Sequence, residues 1–119
     1  MKEVDAFFEP YPESCPLFEV VFERMQALGP TQIRISKTQI SFRRRKDFVW
    51  VWIPEKHLHR NAAPLVLSVA FPQPDPSPRW KQIVEPAPGR FMHHLELYRV
   101  EDINEEVDGW LRDAWNLAA

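Results

Sequence analysis

The sequence predicts an α+β fold: an antiparallel sheet of five or six strands with an N-terminal and a C-terminal helix packed on one face. Three observations carry this expectation. Apolar residues recur at helical spacing near both ends of the chain. Between those ends the period changes to two. The connections there are mostly short, which favours antiparallel pairing over crossovers.

The first helix is expected over 16–28. In "SCPLFEVVFERMQALGP", Leu17, Val20, Val21, Met25 and Leu28 fall on one helical stripe. Pro16 suits the first turn, with Ser14 or Cys15 as the cap. Gly29 and Pro30 form a stop signal. Residues 1–13 read as an irregular leader that Phe7, Phe8 and Tyr11 pin to the body.

The strands follow. "TQIRIS" puts Ile33 and Ile35 on one side, and "TQISFRR" does the same for Ile40 and Phe42. "FVWVWI" is apolar on both sides, with Phe48, Trp50 and Trp52 alternating against Val49, Val51 and Ile53. Such a strand is central, or commits one face to a partner. "RRKD" reads as the short hairpin connection before it, and "PEKHLHRNAAP" as a turn or irregular strand. "LVLSVAF" is a strong strand. "PQPDPSP" must be a loop, because proline cannot donate to a ladder. "RWKQIVE" is expected as a short strand, "PAPG" as a turn, and "RFMHHLELY" as the last strand.

The last helix is expected over 103–117, from Ile103, Val107, Trp110, Leu111, Ala114 and Trp115. Asp102 and Glu105 have the spacing of a capping box. Gly109 costs this helix about 1 kcal/mol relative to alanine, and its small size would allow close approach to the sheet.

Size and composition bound the function. A chain of 119 residues, 45% hydrophobic, fits a single domain with one core. The net charge of −2 lacks the basic excess of a dedicated nucleic-acid binder. Cys15 is the single cysteine, so neither an internal disulfide nor a multi-thiolate zinc site can form. No basic-then-apolar leader opens the chain, and no apolar run is long enough for a membrane span. A soluble cytoplasmic protein is the simplest expectation.

Catalytic signals are sparse. His57 and His59, placed in a strand, would share a face about 6.5–7 Å apart, a spacing that can hold one metal ion. His93 and His94 are strand neighbours and must point to opposite faces, one toward the helices and one outward. A third and fourth ligand are missing, so no metal and no cofactor is expected. Cys15 at a helix N-terminus has the position of an activated thiol, but no histidine or asparagine partner is assignable. The acidic stretch "EDINEEVD" is explained by the dipole of the last helix. The three scattered glycines form no phosphate-cradling loop.

The basic turn is more informative. Arg43, Arg44, Arg45 and Lys46 sit beside Trp50 and Trp52, an aromatic platform with a cationic rim. The plainer explanation is a solvated turn that protects a sheet edge. The expected binding residues are Arg43, Arg45, Trp50 and Trp52, with His57 and His59. The expected role is a non-enzymatic binding module for an unidentified ligand or protein partner. The alternatives are a homodimer that buries the same face, and a metal- or thiol-dependent enzyme. Nucleic acid is less favoured, given the net charge.

"VWVWIP", "PSPRW", "VEPAPGRFMHHLEL" and "INEEVDGWLRDAW" together resemble bacterial proteins of domain-of-unknown-function family 5655, over roughly residues 16–117. The resemblance implies a small domain of helices and strands, with no catalytic residues to carry over. The helix–sheet–helix order is also similar to frataxin-like and YdhG-like domains, an analogy of fold that transfers no function.

Overall fold

A computed structural model describes residues 2–54 and 62–119. It contains helices α1 (Lys2–Phe8), α2 (Cys15–Leu28) and α3 (Glu105–Leu117). The strands are β1 (Gln32–Ile35), β2 (Gln39–Arg43), β3 (Asp47–Trp52), β4 (Leu65–Phe71), β5 (Gln82–Ala87) and β6 (Arg90–Leu97). They form one antiparallel sheet in the order β1-β2-β3-β4-β6-β5. The α+β class, the six strands and the two long terminal helices match the sequence expectation.

The register sorts the sheet into two faces, because residues directly opposite each other in an antiparallel pair share a side. One row reads Ile33, Phe42, Val49, Val69, His93 and Ile83 across the strands. This face receives Leu17, Phe18, Val21 and Met25 of α2, and Val107, Trp110, Leu111 and Ala114 of α3, in a single core. The adjacent row reads Arg34, Ser41, Trp50, Ser68, His94 and Gln82. It lies on the open face, opposite the helices.

Local chemistry corrects several expectations. The leader is not wholly irregular: it carries α1, whose Phe8 ring packs at a tilt against Phe18, centroids 5.2 Å apart. Ser14 precedes α2, but its hydroxyl does not cap the helix and instead donates to the Pro64 carbonyl at 2.6 Å. Asn104, not Asp102, caps α3 by accepting from the Val107 amide. Asp102 instead accepts from the Tyr98 and Arg99 amides around the 3-10 turn Val100–Asp102. Gly109 meets nothing where a Cβ would stand, so no close approach to the sheet requires it. Gly29 is the glycine that packing demands: its φ is 146°, and a Cβ there would lie 2.6 Å from the Trp115 ring.

The proline loop explains the one strand swap. After β4 the chain crosses to the sheet edge as β5 and returns inside it as β6. The loop folds over the helix-side face and delivers Trp80 onto Trp110, with ring centroids 4.0 Å apart. Arg79 ties it to the start of α3 through the Asp102 carbonyl at 2.7 Å and Glu106 at 3.0 Å.

Candidate functional site

The open face concentrates polar and aromatic groups in the middle of the sheet. Trp50 and Trp52 are two residues apart on β3, so both project to this side. The backbone register sets Ser68 opposite Trp50, and His94 opposite Ser68. Trp52 lies diagonally across from Ser68, within reach of a long side chain.

A hydrogen-bond chain results. The indole Nε1–H of Trp52 donates to Ser68 Oγ at 2.9 Å. Ser68 Oγ lies 2.6 Å from Nδ1 of His94. Indole nitrogen only donates, so the serine oxygen accepts there, and the tautomer of His94 sets whether the same hydroxyl donates to Nδ1 or accepts from it. With Ser68 donating, the His94 proton sits on Nε2, on the far side of the ring. Burial, and secondarily the neighbouring His93, push His94 below its ordinary pKa of 6.5 and favour the neutral imidazole. Trp52 meets the His94 ring edge-to-face, with centroids 6.0 Å apart.

These groups border an open groove of about 520 Å³ lined by Thr38, Gln39, Trp50, Trp52, Ser68, Met92 and His94. Its walls are aromatic and thioether, and its polar groups are an amide, two hydroxyls and an imidazole. Trp50 is 9% exposed and forms floor more than platform; Trp52 is half-buried. Arg90 stands over the Trp50 ring at 5.6 Å.

The residues singled out in the sequence are only partly brought together. Arg43 shares the open face with Trp50 and Trp52, where it pairs with Asp47 at 3.4 Å. Arg45 lies elsewhere, at the C-terminal end of the chain, with its amide bonded to the Ala118 carbonyl. Arg44 makes the cation–π contact of this turn, 3.5 Å above Trp115, and its Nη1 also donates to the Trp115 carbonyl at 2.8 Å. His57 and His59 lie outside the described residues. Among the described residues, no three histidine, cysteine or acidic side chains are grouped to hold a metal ion.

The histidine pair divides as its parity requires. His93 is 0% exposed, between the rings of Phe71 and Trp80. Its Nε2 accepts from the Asp75 amide at 2.9 Å, and its Nδ1 faces the Val69 and Phe91 carbonyls. This ring splints the proline loop to the sheet. Cys15 is no better placed for chemistry: burial, then Glu19 and Asp5, raise its thiol pKa and disfavour the thiolate. The acidic start of α3 is engaged by arginines, with Arg24 Nη1 donating to both Asp108 oxygens at 2.7 and 2.8 Å.

Sequence reasoning missed Ser68, Gln39, Thr38 and Met92. The available signal was parity: Ser68 is the lone polar residue of "LVLSVAF", and polar residues in strong strands need partners.

The chain matches the family model "Domain of unknown function (DUF5655)" over residues 4–118, and it belongs to that family. No curated protein and no solved structure matches it.

Proposed function

We propose that this member of family 5655 is a non-enzymatic binding module whose ligand site is the groove on the open sheet face. The ligand class it fits is a flat heteroaromatic molecule carrying a hydrogen-bond acceptor. The supporting observation is the chain from Trp52 through Ser68 to His94. With Ser68 donating to Nδ1, the imidazole presents Nε2–H as a donor beside the indole of Trp52. A ring stacked on Trp52 gains about 1–3 kcal/mol, and an acceptor toward Nε2 sets its orientation.

A serine or thiol nucleophile is a weaker account. Ser68 is buried in mid-strand and accepts a hydrogen bond from Trp52 Nε1–H, which draws electron density from its oxygen. A twin chain on this face is also less favoured, because Trp50 is already mostly covered within one chain.

The test is a tryptophan-fluorescence titration of the full chain with adenosine, guanosine, indole and caffeine. Saturable quenching by at least one ring, weakened about tenfold in Trp52→Ala and in His94→Ala, supports the site. Absence of binding by all four, or binding that both variants leave unchanged, overturns it. Sedimentation that finds a dimer dissociated by Trp52→Ala would shift the face to the homodimer.

A further inference from the structure

A second cavity lies at the end of the sheet, beneath the C-terminal end of α3. We infer that it binds a small amphipathic carboxylate, with the tail among Phe48, Phe71 and Leu117 and the acid group between Lys46 and Arg90.

The cavity measures about 210 Å³, below the usual range for drug-sized ligands and suited to a short chain or a single ring. Its apolar wall has a local cause. A register shift between Phe42 and Arg43 sets an extra residue into β3 opposite β2. Phe48 there joins the helix-side core, although simple alternation puts it with Trp50. Phe71 ends β4, and Ala114 and Leu117 come down from α3. Leu117 is 50% exposed, a large apolar side chain left at the rim.

The mouth is cationic. Arg90 borders it from the β5–β6 turn, where Gly89 adopts a φ of 73°, and its guanidinium also lies 5.6 Å from the Trp50 ring. Lys46 enters from the β2–β3 turn. Neither takes part in an ion pair among the described residues. Asp47 also borders the cavity, but its two oxygens are directed to Arg43 at 3.4 Å and Arg34 at 3.7 Å. The negative end of α3 is offset as well, since Arg44 takes the Trp115 carbonyl. An apolar pocket bordered at its opening by Lys46 and Arg90, neither in an ion pair among the described residues, is complementary to an acid with a hydrocarbon body. A neutral alcohol of the same length gains only the apolar part, and an amine is repelled.

The site stands apart from the groove on the open face except at Arg90, so the test turns on Lys46 and Leu117. Isothermal titration of the full chain with octanoate, octanol, octylamine and acetate reads it directly. Saturable one-to-one binding of octanoate is expected, with octanol about tenfold weaker and neither acetate nor octylamine binding. Lys46→Ala and Leu117→Gln both alter exposed side chains, and each is expected to weaken octanoate several-fold. Added salt weakens it further. Trp52→Ala leaves octanoate unaffected, which separates this site from the other. Lack of saturable octanoate binding, equal affinity for octanol, or indifference to Lys46→Ala overturns the inference.

Discussion

The two faces of the sheet are built from neighbouring residues and have opposite characters. His93 and His94 show this most directly, one residue apart on β6. His93 is sealed between aromatic rings on the helix side, with each ring nitrogen satisfied by backbone. His94 completes a side-chain relay and is half-exposed on the open side. The helix-side row is apolar except for His93, and the open row carries Arg34, Ser41, Ser68, His94 and Gln82 around Trp50. The contrast teaches that the helix side is built from apolar packing and the open side from polar and aromatic groups in register. A residue on the helix side is tied to packing volume, whereas one on the open side is tied to hydrogen-bond geometry.

The largest expected effect belongs to the helix side. Trp110→Ala removes a ring stacked on Trp80 and should cost about 3–5 kcal/mol by denaturant unfolding. Unchanged stability would break the assignment of this face as the structural one. On the open side, Ser68→Ala strips Trp52 Nε1 and His94 Nδ1 of their shared partner, at about 1–3 kcal/mol. A smaller loss than for Trp110→Ala, together with weakened ring binding, is the outcome that sharpens the comparison. A loss as large as for Trp110→Ala would make the open face structural too.

Gly109→Ala should stabilise by about 1 kcal/mol, since the helix interior favours alanine and the site is open. Destabilisation would mean that α3 presses the sheet more closely there. The smallest effect is in pH. His94 has a folded pKa below its unfolded 6.5, so the unfolded chain takes up the proton first. Stability from this group is present above about pH 6.5 and declines as pH falls toward the depressed folded value. Thermal melts of His94→Gln should lose part of that acid-side slope; an identical slope would remove His94 from the account.

Residue order alone made much of this legible. The periods of α2, α3 and the strands identified the elements, since a packed face must repeat with the geometry of its backbone. Parity alone separated His93 from His94 and put Trp50 with Trp52. The misplaced features have local physical causes. Asn104 and Asp102 both have cap chemistry, and only the 3-10 turn decides which reaches the α3 amides. α1 lacks a long amphipathic stripe, so its helicity depends on Phe7 and Phe8 docking on a core assembled elsewhere.

What the sequence by itself determined is therefore the class of fold, the two long helices and the strands, and, away from the bulge at Phe48, which side of a strand each residue takes. These are properties of short segments, written in spacing. Tertiary structure decided what depends on residues distant in the chain: β6 between β4 and β5, Arg44 rather than Arg45 on an indole, and Phe48 turned into the core. It also decided the meeting of Trp52, Ser68 and His94. Those three come from three strands, and no spacing within one segment encodes a register between strands.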